Sequence, residues 1–358
     1  MKKYILVTIC AVSLLSASCD LFGVPTAGVY KTSNGGVDWQ VTNELKPSNT
    51  NSGTTDGVSM AALSISKLAY NPQKEDVVYA GAFNAGLYMS TDGAATWEQI
   101  LGQIPVIDFA INPNDDQMIY AAGAFDGRGR ALLTHDGGKS WNAIYTSATT
   151  NSSVRAIALN PNSPEQVTIG LSSGELIMSN DAGASWKLVQ SYNDRINQIF
   201  WNNNGIYAVV KGTGIFKSVD SGNTFQLITA NLQSTGNTST LSIFGSSISS
   251  FNQLAISQNN PQAMFLTTNL GLYKSYNGGA SWQFVTMPLR QSAISPTAVA
   301  IARSTDNVVY VSAGTIVYKT TDGGNTWSTA DTQTNNLVNS LIVDPYLPQA
   351  AYAGIYTN

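Results

Sequence analysis

The chain has 358 residues, of which 43 % are apolar and only 11 % are charged, with a formal net charge of −4. This length is enough to bury a sizeable core, and the mild acidity argues against nucleic acid or an anionic membrane surface as the main partner. Gly, Asn, Ser and Thr are abundant, whereas Lys, Glu and Arg are scarce. Such usage is typical of many short strands joined by tight turns.

The N-terminal segment is an apolar run preceded by two lysines, MKKYILVTICAVSLLSAS. This pattern predicts a secretory signal peptide over residues 1–18. Without it the chain keeps 16 of its 18 basic residues and all 22 acidic ones, a net charge of −6. We therefore expect an exported protein of the cell envelope that faces the periplasm or the exterior.

The next segment, residues 19–27, begins with Cys19 and predicts a short tether. The stretch LSASC resembles a bacterial lipobox, in which the cysteine is acylated, although Ser16 stands where an apolar residue is usual. Lipidation of Cys19 would anchor the protein without a membrane span; ordinary cleavage after Ser18 is the alternative. Because Cys19 would be the only cysteine of the exported form, an internal disulfide is excluded.

A short phrase then recurs along the rest of the chain, each time after an alternating strand pattern such as LYM or VYK. Asp or Asn caps a tight turn, Gly permits a positive φ, and an aromatic residue starts the returning strand. The intervals between the aromatic residues centre on about 45 residues, the period of a propeller blade. The phrases are TSNGGVDW, STDGAATW, THDGGKSW, SNDAGASW, SVDSGNTF, SYNGGASW and TTDGGNTW, which end at Trp39, Trp97, Trp141, Trp186, Phe225, Trp282 and Trp327.

These phrases resemble the Asp-box, or BNR repeat, with departures that keep the turn chemistry: Asn34 and Asn277 replace Asp, Ala94 replaces Gly, Asp38 replaces Thr or Ser, and Phe225 replaces Trp. The resemblance covers residues 28–358. The repeats are similar above all to those of photosystem II assembly-factor-like and sortilin-like repeat proteins. It implies a β-propeller used as a binding platform.

A second repeated column, a short apolar strand, precedes each phrase and predicts the inner strand of each blade. The chain begins with the hairpin half of one blade and ends with the inner half of another, so the two halves should complete one blade. We predict an all-β fold, a seven-bladed propeller of four-stranded blades over residues 28–358, closed by strands from both ends. The inner strands are predicted near residues 65–72, 106–113, 154–161, 196–203, 251–258, 296–303 and 338–345.

Any binding site should lie on the upper face, defined as the end of the ring where the inner strands begin, because the repeated turns lie at the opposite rim. Two insertions, 46–64 and 230–250, fall between blades, and their role is left open. Four of the six arginines cluster near the upper face, and Arg side chains suit carboxylate or phosphate groups; solvated rim charges are the alternative. The candidate ligand-binding residues are Lys67, Asp108, Asp126, Arg128, Arg130, Arg155, Arg195, Gln198 and Gln253.

Enzymatic activity is the less favoured hypothesis. Asp-box sialidases carry an Arg-Ile-Pro motif and an arginine clamp; the chain has no such motif and no arginine before Arg128. Xyloglucan-hydrolysing proteins of similar repeats use two propellers. A glycosidase needs two carboxyl groups about 5–9.5 Å apart, and Asp108 with Asp126 is the least poor pair. The single histidine, His135, lies in a repeated turn, which excludes His-based triads and His-ligated zinc.

The sequence thus predicts a non-catalytic, monomeric binding propeller that recognises an envelope protein or glycan through its upper face. It predicts no cofactor, no metal and no nucleic-acid partner. A glycoside hydrolase, sialidase-like or active on β-glucans, is the alternative.

Overall fold

The computed structural model describes residues 27–46, 59–83, 85–102, 104–234, 248–289 and 295–357. The predicted signal peptide, residues 1–18, and Cys19 lie outside the described residues. Ala27, at the end of the predicted tether, is buried. The described strands form seven antiparallel sheets of four strands each, which confirms the predicted seven-bladed all-β propeller.

The chain begins with the hairpin half of the closing blade. Its two strands are β1 (Gly28–Thr32) and β2 (Gln40–Val41). A 3₁₀ turn, Met60–Ala62, precedes the next blade; Ser59 caps it by accepting a hydrogen bond from the backbone of Ala61.

The first three complete blades follow in chain order, each from its inner to its outer strand. Blade 1 contains β3 (Ile65–Tyr70), β4 (Val78–Ala82), β5 (Gly86–Ser90) and β6 (Glu98–Leu101). Blade 2 contains β7 (Val106–Asn112), β8 (Asp115–Phe125), β9 (Arg128–Thr134) and β10 (Asn142–Thr150). Blade 3 contains β11 (Val154–Asn160), β12 (Ser163–Leu171), β13 (Glu175–Ser179) and β14 (Lys187–Ser191).

The next three blades repeat this order, with one helical turn between blades 4 and 5. Blade 4 contains β15 (Ile196–Asn202), β16 (Gly205–Val210), β17 (Gly214–Ser218) and β18 (Gln226–Leu227), followed by α1 (Ala230–Ser234). Blade 5 contains β19 (Phe251–Ile256), β20 (Met264–Thr268), β21 (Gly271–Ser275) and β22 (Gln283–Val285). Blade 6 contains β23 (Ala298–Ile301), β24 (Val309–Ala313), β25 (Ile316–Thr320) and β26 (Ser328–Asp331).

Blade 7 closes the ring with strands from both ends of the chain. Its inner strands are β27 (Leu337–Val343) and β28 (Ala351–Tyr356), and its outer strands are β1 and β2. Strand β1 pairs with β28 in register from Gly28 opposite Ile355 to Thr32 opposite Ala351. As predicted, neither end of the described chain leaves an unpaired half blade.

The core consists of apolar side chains packed between neighbouring blades. Between blades 2 and 3, for example, Tyr120 contacts a cluster that includes Val154 and Ile169. Seven such clusters occur among the described residues, one at each interface between blades. Burial of such side chains stabilises the fold by about 1.5–3 kcal/mol each, so the ring gains most from blade-to-blade packing.

The repeated turns share one hydrogen-bond pattern. In the turn after β25, the Thr320 hydroxyl donates to Asp322 at 2.7 Å, and Asp322 accepts from both the backbone and the hydroxyl of Thr326. Gly324 there has φ +93°, and Ala94 takes a φ of +68° at the same position of its turn. The substitutions noted in the sequence therefore keep the turn geometry.

In four of the seven phrases the indole of the aromatic residue bonds to the preceding blade, whereas the buried Nε1 atoms of Trp39 and Trp327 have no partner among the described residues. The indole nitrogen of Trp141 donates to the carbonyl of Ile100 at 2.9 Å, and that of Trp186 donates to Ile144 at 2.8 Å. Trp97 and Trp282 do the same with Thr42 and Ile228. The repeated phrase thus shapes a turn and also joins one blade to the next.

Candidate functional site: the upper mouth of the channel

The inner strands surround a central channel with a volume of about 940 Å³. All seven of them contribute lining residues, among them Lys67, Asp108, Gln253 and Asn339. The upper mouth of the channel lies where these strands begin.

A β-bulge lies at the second residue of most inner strands. In β3, Ile65 pairs with Ala82 and Lys67 pairs with Gly81, so Ser66 is left between them. The same irregularity occurs in β7, β11, β15, β19 and β27. Because a bulge re-aims the extra side chain, the second residues reach sideways to the next blade.

The second-position side chains form what we call the donor ring. When positions are counted from residues 65, 106, 154, 196, 251, 296 and 338, five of these seven side chains donate a hydrogen bond to the carbonyl at the first position of the next inner strand, at 2.7–3.1 Å. The other two are Ile107, which is apolar, and Arg155. The pairs are Ser66 with Val106, Asn197 with Phe251, Asn252 with Pro296, Thr297 with Val338, and Asn339 with Ile65. These side chains join blades.

The third-position side chains form a complementary acceptor ring. Four of the seven accept a hydrogen bond from the backbone N–H of the fourth residue of the next inner strand, at 2.8–2.9 Å. The other three are Lys67, Ala156 and Ala298, which have no side-chain acceptor. The pairs are Asp108 with Ile157, Gln198 with Leu254, Gln253 with Val299, and Ser340 with Leu68. Three residues predicted to bind ligand thus also carry contacts that hold the ring together.

Lys67 and Asp108 form an ion pair inside this arrangement. The Lys67 ammonium lies 2.5 Å from Asp108 and donates to the carbonyl of Phe109 at 2.8 Å. Asp108 is only 7 % exposed and also accepts from the backbone N–H of Phe109 and Ile157. The carboxylate is therefore neutralised and fully engaged by the protein itself.

Arg155 departs from the donor ring. It occupies the second position of β11, yet its guanidinium has no hydrogen bond or ion pair among the described residues, and its buried Nε lacks a partner. Burial and then the nearby charge of Arg195 lower the pKa of Arg155, against the opposing effect of Asp108 and Tyr356. An arginine remains charged in spite of such a shift, so Arg155 presents an unneutralised cation to the channel.

Arg195 stands beside it, in the connection that enters blade 4. Its Nε donates to Asn197 at 2.9 Å, while Asp194 accepts from the backbone N–H groups of Arg195 and Gly212. The Arg195 guanidinium lines the same channel as Arg155. Arg155 and Arg195 both line this mouth, whereas Asp108, the one carboxylate in the described lining, is paired with Lys67, so the lining carries a local positive charge.

Two aromatic residues, Phe83 and Tyr356, flank this mouth. Their rings meet edge to face with centroids 5.3 Å apart, and Phe83 lines the channel. Neither residue was among the predicted ligand-binding residues, although Phe83 directly follows β4, whose last residue Ala82 pairs with Ile65 at the start of the inner strand. Aromatic faces beside cations suit peptide and sugar ligands alike.

Asp126, Arg128 and Arg130 lie outside the channel lining, at the tip of the β8–β9 hairpin. Asp126 and Gly127 both have positive φ, as in a two-residue type I′ turn. Arg128 donates to the carbonyls of Ser147 and Ala148 at 3.1 and 3.0 Å. The structure thus gathers six predicted residues in the channel and holds these three apart from it; their binding roles stay predictions.

The chemistry available in the channel is limited. Asp108 is the one carboxylate among the described residues that line it, and Asp126 is not a neighbour there. No group of three His, Cys, Asp or Glu side chains within the described ranges is placed to hold a metal ion. The part of the chain that the structure covers also has no helix long and apolar enough to cross a membrane.

Comparisons with known proteins agree with this architecture. The family model described as Sortilin, neurotensin receptor 3, matches residues 85–196. An oligoxyloglucan-reducing end-specific xyloglucanase from Emericella nidulans is 32 % identical over 85 residues, which are 22 % of this chain and 10 % of that protein.

Two solved structures extend the comparison to most of the chain. The superposition on the GH74 xyloglucanase of Xanthomonas campestris covers 82 % of this chain and 51 % of the xyloglucanase chain, with a TM-score of 0.64 and 16 % sequence identity. The superposition on YCF48 bound to D1 peptide covers 88 % of this chain and 100 % of the YCF48 chain, with a TM-score of 0.60 and 16 % sequence identity. The chain thus spans about half of that xyloglucanase. The resemblance to sortilin-like and assembly-factor-like propellers is confirmed, at the level of fold.

Proposed function

We propose that this chain is a non-catalytic binding propeller that recognises an anionic group of an envelope protein or glycan at the upper mouth of its channel. Arg155 and Arg195 would contact the anion, and Phe83 and Tyr356 would pack beside it. The proposal concerns the ligand's charged group, since carboxylate, sulfate and phosphate all suit an arginine fork.

The observation that carries the proposal is the guanidinium of Arg155, which makes no hydrogen bond or ion pair among the described residues. Every other polar second-position side chain in the described inner strands bonds to the next blade. A half-buried charge without a partner costs stability, so its presence in a ring otherwise devoted to inter-blade contacts favours a role in binding.

The hydrolase alternative finds less support in the channel. Hydrolysis of a glycoside needs two carboxyl groups that act across one bond. Asp108 already accepts hydrogen bonds from Lys67, Phe109 and Ile157, and the described lining offers no second carboxylate. Among proteins of this fold, one solved structure holds a peptide and others are xyloglucanases, which is why both peptides and glycans are kept as ligand classes.

The proposal includes the location of the protein. Export by the segment 1–18 and acylation of Cys19 would hold the propeller near a membrane through the lipid anchor only, as a monomer. Mass spectrometry of the mature N-terminus tests this part, because an unmodified Cys19 would contradict it.

The binding test uses two polyanionic probes, a hexaglutamate peptide and tetragalacturonate, which separate the peptide and glycan classes. With only six arginines in the chain, their Nε–H signals can be followed individually by NMR. We expect at least one probe to shift the Arg155 signal, and Arg155→Met to weaken its binding about tenfold or more.

The matched control is Arg303→Met, which removes an arginine that lines the same channel near the opposite mouth; it should bind as the parent protein does. The proposal fails if neither probe disturbs Arg155, or if Arg155→Met and the parent bind equally. Turnover of xyloglucan or a sialoside by the purified chain would replace it with the hydrolase hypothesis.

A further inference from the structure

A second, smaller cavity lies on the face of blade 2 that packs against blade 1. Its volume is about 150 Å³, and it is separate from the channel. Side chains that point to one face of β8 and β9 form its floor, and the connection from blade 1 crosses above them. The lining is Ile104, Pro105, Val106, residues 121–125, Arg130 and Leu132.

The crossing connection is held close to β8 by Gly123. A Cβ at this glycine would lie 1.9 Å from the carbonyl oxygen of Pro105. Any other residue would therefore push the connection outward and widen the cavity. The cavity is thus enclosed by backbone on one side, and its size does not depend on flexible surface side chains alone.

Arg130 is the one charged residue among the described side chains of this lining. Its guanidinium carbon lies 4.8 Å from the ring centroid of Phe125, whereas its Nε is buried and has no hydrogen-bond partner. Arg128 lies two residues earlier on β9, and its guanidinium donates hydrogen bonds to the carbonyls of Ser147 and Ala148. Arg130 therefore has an unused donor at the edge of an apolar space.

The size and chemistry of the cavity define an occupant. An apolar cavity of about 150 Å³ is large enough for a benzene ring, and a buried donor gains most from an ionised acceptor. The cation of Arg130 would pair with a carboxylate while the apolar walls enclose the group attached to it.

We propose that this cavity binds an apolar carboxylate: one aromatic ring or branched aliphatic group enters among Pro105, Phe125 and Leu132, and its carboxylate pairs with Arg130. Both a free organic acid and a peptide that ends in an apolar residue carry this chemistry. The site is independent of Arg155 and does not rest on the proposed function of the channel.

The test titrates the full chain with phenylacetate and follows the Arg130 Nε–H signal, with 2-phenylethanol as the uncharged analogue. We expect phenylacetate to shift this signal and to bind about tenfold or more tightly than 2-phenylethanol. Arg130→Met should cost a similar factor. Leu132→Phe, which fills the cavity without a change in charge, should abolish binding.

Arg303→Met serves as the control for loss of an arginine elsewhere and should leave the titration unchanged; circular dichroism confirms that each variant is folded. A tripeptide that ends in Phe, as free acid and as amide, distinguishes the two sources: tighter binding of the free acid than of phenylacetate indicates a peptide C-terminus, and weaker binding indicates a small acid. Equal binding of amide and acid, or of Arg130→Met and parent, would overturn the proposal.

Discussion

The upper mouth of the channel and the rim of repeated turns are built on opposite principles. At the rim, one hydrogen-bond pattern recurs in turn after turn, and a substituted turn keeps its bond: Asn34 donates to Asp38 at 2.8 Å and Asn277 donates to Ser281 at 2.7 Å, where other turns pair an aspartate with a hydroxyl. At the mouth, Arg155 departs from the donor ring with no compensating change among the described residues. A departure that is compensated maintains the fold, whereas an uncompensated one marks a candidate for function.

The largest expected effect breaks the acceptor ring. Asp108→Ala removes the acceptor of two backbone N–H groups and the partner of Lys67. We expect it to lower the free energy of unfolding by about 2–4 kcal/mol, below the cost for a fully buried pair because Lys67 can turn to water. Urea denaturation measures this.

Arg155→Met tests the same comparison from the other side, because we expect this change at the mouth to cost no stability. It should leave the free energy of unfolding within about 0.5 kcal/mol of the parent or raise it, because no hydrogen bond is lost and an unpaired charge is removed. If this variant were as destabilised as Asp108→Ala, Arg155 would be a structural residue and the distinction drawn above would be wrong.

The repeated turns should contribute less to the stability of the fold in acid. The hydroxyl and then the backbone of Thr224 lower the pKa of Asp220 to about 2, and the same kinds of contact lower the pKa values of Asp136, Asp181 and Asp322. Because the folded-state pKa lies below the ordinary value of 3.8, this stabilisation is present above about pH 4 and is lost as the pH falls toward 2.

Asparagine offers a matched replacement, since Asn277 already occupies one turn and donates to Ser281 at 2.7 Å. A variant with Asn at positions 136, 181, 220 and 322 should lose less stability than the parent between pH 4 and 2, measured by urea midpoints. Asn277→Asp should steepen the loss. Parallel curves for all three proteins would contradict the assignment.

A modest effect is expected for the compensated pair in the first turn. Asn34→Asp would place a second carboxylate against Asp38, and we expect a loss of about 0.5–1 kcal/mol at this exposed site. Adding Asp38→Thr to the Asn34→Asp variant should recover the lost stability, because the two changes together recreate the common turn. A double-mutant cycle with additive effects would show that the two positions are not coupled.

The fold was predictable because its signals are local and repeat. Each turn phrase and each inner strand could be recognised within ten residues, and seven copies fixed the blade count. The site was only partly predictable. Lys67, Asp108, Gln198 and Gln253 line the channel, and their binding roles stay predictions. Their bonds to the next blade depend on how neighbouring strands are offset, which no single strand records.

The arginines illustrate the same limit from the other side. Arg128, Arg130 and Arg155 look alike in the sequence, and only the surrounding backbone separates the one that bonds to carbonyls from the two that keep unused donors. Conversely, Asn and Gln recur at the second and third positions of the inner strands. That recurrence was a signal for contacts between blades, whereas Gln198 and Gln253 were predicted only to bind ligand.

The shared blade 7 has a kinetic consequence. The pairing of Gly28 with Ile355 joins positions near opposite ends of the chain, so the ring cannot close until its last strand has been synthesised. Contacts of such separation form slowly, and until then β1 and β27 present open edges to other chains. We therefore expect refolding to be limited by closure, and the yield of refolded protein to fall as the chain concentration rises.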